Sequence, residues 1–336
     1  MNDHPDIVVI GASAGGIATV GILLAQLPAD LPAAVFIVQH ISPSSTVGPA
    51  GIWSRQSLLP VRCAADGDEI RPGTVLVAPA DRHLLLTADR VSVVMGPREN
   101  RVRPAIDALF RSAAVEHGAR VISVVLTGLL DDGSAGLLAI RRCNGLTLVQ
   151  DPADAFNPEM PEHALRTLKP DHVLPVRAMG AVIDQACRRP APASVPPPMD
   201  LVREVAIAGQ IGSDVDTEQE IGELVPLGCP ECGGPLWQIH DPKSLRFRCH
   251  VGHGFNSASL LAEQRQATER MLWAALRSLE EQSRLHARLA HQERQQGRIA
   301  RADEFDERAG AAQRHALSIR RLLAGQTPAL TDIEAA

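Results

Sequence analysis

The chain has 336 residues, 45% of them hydrophobic, enough for two domains of which one has a sizeable core. Its 33 Lys and Arg are outnumbered by 39 Asp and Glu, and a net charge of −6 gives no general attraction to nucleic acid or an anionic membrane. No basic segment precedes the first apolar run and no window holds about 18 consecutive apolar residues, so neither a signal peptide nor membrane insertion is expected and the default is cytoplasmic.

The first half alternates strand and helix signals. Ile7 to Ile10 is a β-branched run ending at Gly11, and a helix is expected over 16–27. Buried strands follow over 33–38 and 75–79, then a hairpin made by 84–86 and 91–94. Ile106, Leu109, Phe110 and Ala113 have helical spacing over 104–117. The strongest strand runs from Val121 to Leu126, a helix follows from Ser134 to about Arg142, and Leu146 to Val149 is another strand. Fully apolar strands alternating with helices predict an α/β fold, a doubly wound and mostly parallel sheet in three layers.

Residues 186–225 read as a linker and an unassigned segment, with the proline-rich run 188–200 expected to be extended. Residues 226–256 hold a cysteine cluster, expected to be a small zinc ribbon. Over 257–325 the pattern is helical, with a break near Gln296-Gly297. Leu272, Leu276 and Leu279 mark one face, continued less regularly by Leu285 and Leu289. Ala302, Phe305, Ala309, Ala312, Ala316, Ile319 and Leu323 recur at alternating steps of three and four. An antiparallel hairpin that buries its own seam is the favoured reading, and self-association through these helices is the competing one.

Gly11-Ala-Ser-Ala-Gly-Gly16 ends the first strand. Ser13 stands where the dinucleotide fingerprint needs its middle glycine, so a nicotinamide role is disfavoured. The segment does match the tight strand-to-helix turn that exposes a nucleophilic serine. A helix starting near Gly15 would aim the N–H groups of Ala14 and Gly15 at a developing oxyanion. A lone match of this kind is weak, since a glycine-rich turn with a solvated serine looks the same. A serine nucleophile needs a base, and a base needs an orienting acid. His40 ends the adjacent strand, on the same carboxyl edge as Ser13. His83 also follows a strand but opens the hairpin. Asp131 and Asp132 both follow the strand ending at Leu126, and either could be a helix cap instead.

Six segments, in order over about residues 5–185, resemble the catalytic domain of the chemotaxis protein-glutamate methylesterases of the CheB type. They are Ile10 to Gly16, Val38 to Pro43, Ala78 to Leu84, Arg103 to Phe110, Leu126 to Gly133, and Gln150-Asp-Pro152 with Met160-Pro161. The resemblance implies Ser13 as nucleophile, His40 as base and Asp132 as orienter, with the Leu129 N–H as a further oxyanion donor. It also implies hydrolysis of glutamate γ-methyl esters on a chemoreceptor, with glutamine deamidation open to the same acyl-enzyme. The family's Thr-Gly-Met-Gly reads Thr127-Gly-Leu-Leu130, so a leucine stands where a glycine is usual. The first catalytic strand begins near residue 6, which leaves no room in this chain for the family's usual receiver domain. Arg101 and Arg103 could meet an acidic receptor surface, although solvated arginines are the plainer reading.

Cys229-Pro-Glu-Cys232 is followed, sixteen residues after Cys232, by Cys249-His-Val-Gly-His253. Cys229, Cys232, Cys249 and His253 suit a closed, tetrahedral, structural Zn²⁺ site, with His250 a less favourable alternative to His253; no catalytic cofactor is expected. Cys63, Cys143 and Cys187 are expected to be packing residues. Lys243, Arg246 and Arg248 are a modest basic group on an acidic chain, which favours a protein partner over nucleic acid. The rival to an active esterase is a signalling adaptor that uses the same fold, ribbon and helices to bind partners.

Overall fold

A computed structural model describes residues 4–42, 48–209, 222–240 and 245–325. In chain order its strands are β1 (Ile7–Ala12), β2 (Ala34–Gln39), β3 (Val61–Cys63), β4 (Val75–Val77), β5 (His83–Leu86), β6 (Val91–Val94), β7 (Val121–Val125), β8 (Leu146–Gln150) and β9 (His172–Leu174). A second group comprises β10 (Gly222–Gly228), β11 (Pro235–Ile239), β12 (Arg246–Cys249) and β13 (Gly254–Asn256). The helices are α1 (Gly16–Leu24), α2 (Ala50–Trp53), α3 (Ile106–His117), α4 (Ser134–Arg142), α5 (Glu159–Thr167), α6 (Val176–Cys187), α7 (Met199–Ala208), α8 (Ser257–Gln295) and α9 (Ile299–Leu323).

Seven strands form one sheet in the order β3-β4-β2-β1-β7-β8-β9, every neighbouring pair parallel. The two-residue period of β1 explains why both faces must be covered. Ile7 and Val9 join a core with Leu109 and Phe110 of α3, Leu137 of α4 and Met160 of α5. Val8 and Ile10 join the opposite core with Val20 and Leu23 of α1 and Met179 and Ile183 of α6. The chain leaves β1 toward β2 on one side and returns to pair β7 on the other. That reversal opens a crevice at the carboxyl ends of β1, β2 and β7.

The hairpin of β5 and β6 lies outside this sheet. β3 and β9 were not anticipated: each has three residues and none of the six is fully buried, so they carry little hydrophobic signal. α7 falls in the segment that sequence patterning left unassigned, and residues 210–221 lie outside the described residues.

β10 to β13 make a four-stranded antiparallel sheet around Cys229, Leu236, Phe247, Cys249, Phe255 and Leu260. This ribbon belongs to the same compact unit as the α/β sheet, Met1–Leu260. A buried charge network joins them. Glu99 pairs with Arg111 of α3 and with Arg248 of β12. Glu204 of α7 meets Arg111 at 3.7 Å, Arg248 at 3.4 Å, and Arg246. Lys243 lies outside the described residues; Arg246 and Arg248, anticipated as a surface basic group, are instead consumed in this interface.

Leu261–Ala336 forms the second unit. Here α8 and α9 make a hairpin closed by Ser283 Oγ donating to the Ala309 carbonyl at 3.0 Å, by Arg320 on Glu280, and by His286 stacked on Phe305 at 6.1 Å. The alanine seam of α9 turns inward, with Ala302, Ala312 and Ala316 buried. Leu285 does not continue the facing seam: it is 57% exposed, because Leu276, Leu279, Ser283, His286 and Ala290 hold the three-and-four spacing and Leu285 falls outside it.

Candidate active site

Ser13 sits where β1 breaks into α1. Its backbone N–H still donates to the Thr127 carbonyl at 2.9 Å, so the residue is anchored to the end of β7. The chain then turns through Gly15 at φ 80°, a left-handed conformation. A side chain at Gly15 would also strike Phe156, whose Cβ lies 2.7 Å from the ideal Cβ position. Gly16 N–H donates back to the Ser13 carbonyl at 2.9 Å, and that carbonyl accepts a second bond from Gln39 Nε2 at 2.8 Å. Gln39 also donates to the His40 carbonyl at 3.0 Å, so one amide ties the two neighbouring strand ends together.

Ser13, Ala14, Gly15, Gln39 and His40 line one open cavity of about 620 Å³, with Ile17, Ile52 and Gln56 on its wall. His40 Nε2 lies 2.8 Å from Asp132 Oδ2, which leaves Nδ1 as the nitrogen turned away from the carboxylate. Among the described residues no hydrogen bond joins Ser13 Oγ to the His40 ring. Catalytic hydrogen bonds are often loose before substrate binds.

Asp132 is buried at 3% exposure and has four donors. Besides His40, Oδ2 accepts the Ile106 N–H at 2.6 Å; Oδ1 accepts Asn100 Nδ2 at 3.0 Å and the Asp107 N–H at 3.2 Å. The carboxylate therefore caps the N-terminus of α3, where the helix dipole favours negative charge. Burial works against ionisation, but the His40 contact and these donors prevail and hold Asp132 below the usual carboxylate range. Asp107 returns the favour to α4, accepting the N–H groups of Gly133 at 3.0 Å and Gly136 at 2.6 Å. Burial, and next the charge on Asp132, push Asp107 up to about 7. The pair thus keeps its negative charge on the member that faces His40.

Asp131, the other acid considered, faces away from His40 and accepts from Asn256 of the ribbon. Burial raises it to about 6. His83 is fully buried and structural: its ring bonds the Pro97 carbonyl at 2.8 Å and accepts the Ala105 N–H at 3.2 Å. Arg103 is committed to Asp81 at 2.8 Å and to the Gly96 carbonyl at 2.6 Å, so it offers little to a receptor surface.

Gly128 packs against the nucleophile. A Cβ there would lie 2.7 Å from Ser13 Cβ and 2.0 Å from Met160 Sδ. Leu129 follows at 48% exposure beside this contact. Leu130 adopts φ 64°, so the loop keeps a left-handed turn although a leucine occupies it. Its N–H is taken by Glu159 at 2.9 Å. Asn100, which no sequence signal marked, proves to be the residue behind the acid: its Nδ2 donates to Asp132 and, at 2.9 Å, to Asp107.

In the ribbon, the ligand atoms of Cys229, Cys232, Cys249 and His253 all lie within 4.8 Å of one another. Cys232 Sγ is 3.7 Å from Cys249 Sγ, and His253 Nδ1 is 3.4 Å from Cys249 Sγ and 3.8 Å from Cys229 Sγ. Tetrahedral Zn–S bonds near 2.3 Å and Zn–N near 2.0 Å give edges of about 3.8 and 3.5 Å, so the donor set fits that ion. His253 turns Nε2 to Glu231 at 3.4 Å, the kind of outer contact that fixes a ligand's ring. His250 is outside this group, with its ring against Gly234. Cys143 and Cys187 are buried as packing residues, whereas Cys63 is exposed: it ends β3 at the sheet edge, where its neighbour strand covers one side only.

Comparison with known proteins places this geometry. Residues 8–183 match the family model described as CheB methylesterase. A protein-glutamate methylesterase/protein-glutamine glutaminase of Anaeromyxobacter dehalogenans is 42% identical over 171 residues, 51% of this chain and 50% of the relative. One from Cupriavidus pinatubonensis is 41% identical over 182 residues, 54% of this chain and 53% of the relative. The chain thus spans about half the length of the curated relatives it matches. The crystal structure of the Thermotoga maritima CheB methylesterase catalytic domain superposes with a TM-score of 0.52 at 32% identity, covering 54% of this chain and 97% of that one.

Proposed function

The chain belongs to the CheB methylesterase family over residues 8–183, and from this we propose that it is a serine hydrolase that removes methyl groups from glutamate γ-methyl esters on a chemoreceptor-like protein. The observation that carries the reading is the His40–Asp132 pair at the rim of the cavity that exposes Ser13. Ser13 Oγ attacks the ester carbonyl while His40 Nδ1 takes its proton. Asp132 holds the ring through Nε2 and balances the imidazolium charge. The N–H groups of Ala14, Gly15 and Leu129 are the donors available to the oxyanion. His40 returns the proton to the leaving methanol; it then activates water, which releases glutamate and frees Ser13. A glutamine amide would enter the same acyl-enzyme with ammonia as the leaving group.

Cys229, Cys232, Cys249 and His253 would hold a structural Zn²⁺ that supplies folding energy to the ribbon and leaves no open coordination position for catalysis. No helix of the described chain is long and apolar enough to cross a membrane.

The test is methanol release from a methyl-labelled receptor cytoplasmic fragment by the wild type and Ser13→Ala, with a fluorophosphonate probe to report Ser13 reactivity. Release by the wild type alone supports the reading. Equal release by both proteins refutes Ser13 as nucleophile. Neither release nor labelling moves the assignment to a signalling adaptor.

A further inference from the structure

The ribbon does more than pack beside the α/β sheet: it reaches the back of the candidate triad. Asn100 Oδ1 accepts three bonds from the segment that leaves the ribbon, from the Asn256 backbone N–H at 3.2 Å, from Asn256 Nδ2 at 3.0 Å and from Ser259 Oγ at 3.4 Å. Asn100 backbone N–H donates to the Gly254 carbonyl at 2.8 Å, and Gly254 N–H donates to the Arg98 carbonyl at 3.1 Å. β13 thereby adds a short parallel bridge to the loop that carries Asn100. Asn100 and Arg101 hold left-handed conformations at φ 50° and 71°, so this loop needs outside restraint.

These contacts fix more than position. A side-chain amide has one accepting and one donating end, and nothing intrinsic decides which way it points. A backbone N–H cannot accept, so Asn256 N–H forces the oxygen of Asn100 toward the ribbon. The NH2 group must then face Asp107 and Asp132, where both hydrogens are used. Without the ribbon the amide could turn its oxygen on two carboxylates.

We propose that Asn256 is a positioning residue for the esterase, acting through Asn100 to orient Asp132, so that the ribbon is a working part of the active site. The inference rests on the esterase reading above. A side chain at 256 that cannot donate loosens Asp132, and with it the orientation of His40, without touching the substrate cavity. Binding should survive while the chemical step slows.

The experiment uses the full chain loaded with zinc and compares wild type, Asn256→Ser, Asn256→Asp and Asp132→Asn. Both replacements at 256 keep an oxygen able to cap α8, as Asn256 Oδ1 now does for the Ser259 N–H at 2.7 Å. Both lose the amide donor to Asn100. Fluorophosphonate inactivation of Ser13 is measured as a maximal rate and a half-saturating concentration, alongside zinc content and circular dichroism. The expected result is a maximal rate lowered about tenfold in both variants, with half-saturation within twofold and metal and fold unchanged. A wild-type maximal rate in correctly folded Asn256→Ser and Asn256→Asp overturns the inference alone. Wild-type protein that does not label, or labels equally well as Asp132→Asn, overturns the esterase reading and the inference with it. Loss of zinc or fold in both variants overturns the positioning role and makes Asn256 a structural residue of the ribbon.

Discussion

Replacing Glu204 by Gln should detach the ribbon energetically from the α/β unit. Glu204 is 1% exposed and shares its carboxylate among Arg246, Arg111 and Arg248. Burial opposes its charge, but the three guanidinium groups, Arg246 foremost, hold it down at about 2 against an ordinary 4.5. That difference corresponds to roughly 3 kcal/mol at pH 7. An independent expectation agrees: removing one partner of a buried pair costs about 3–5 kcal/mol, because the others stay buried and uncompensated. In Glu204→Gln three arginines would face Glu99 alone. The folded-state value is depressed, so the contribution is complete above pH 4.5 and fades as pH falls toward 2. Urea unfolding followed by tryptophan emission measures this, since Trp53 lies in the α/β core and Trp237 in the ribbon. The variant should lose about 3–5 kcal/mol at pH 7, with the gap to wild type narrowing between pH 5 and 3. A gap under about 1 kcal/mol at pH 7, or one that widens in acid, would refute the assignment of Glu204 as the anionic centre of this interface.

Asp132→Asn should lower the turnover number on the order of 10⁴-fold by losing the charge and tautomer control on His40, and turnover within tenfold of wild type would remove Asp132 from the mechanism. Gly128→Ala should displace Ser13, given the 2.7 Å approach of the new methyl group, and cut ester hydrolysis by about 10²-fold in protein of unchanged melting behaviour or cost about 1–3 kcal/mol if the loop gives instead; an unaffected variant on both measures contradicts the packing. Stripping zinc with a strong chelator should move Trp237 emission to the red as the ribbon opens, with one zinc per chain recovered by mass spectrometry on reloading; an unchanged spectrum would mean the ribbon folds without metal.

Much of the α/β half can be read in the sequence because its parallel strands are buried on both faces. Ile7 to Ile10 and Val121 to Val125 can be continuous apolar runs in this fold and in few others. Ser13, His40 and Asp132 are legible for a related reason: each follows an apolar strand directly, and in a parallel sheet all such ends share one edge. The tetrad of Cys229, Cys232, Cys249 and His253 is legible because metal ligation constrains spacing along the chain, and the structure gathers these four while leaving His250 aside. Short β3 and β9, by contrast, lie at the sheet's edges with too little buried surface to imprint a pattern.

What the sequence determined by itself, then, was the set of groups whose role follows from local chain position: strand cores, the serine turn, strand-end acid and base, and the ligand spacing. Tertiary structure decided the rest. Asn100 becomes the support of Asp132 only because β13 of the ribbon, about 150 residues away, lays Gly254 and Asn256 against it. Arg246 and Arg248 read as surface charge until Glu99 and Glu204 are brought to meet them. The choice of Asp132 over Asp131 rests on which of two adjacent carboxylates points at the α3 N-terminus. Hydrogen bonds and ion pairs between distant segments leave no periodicity in either partner, and only the folded chain brings them together.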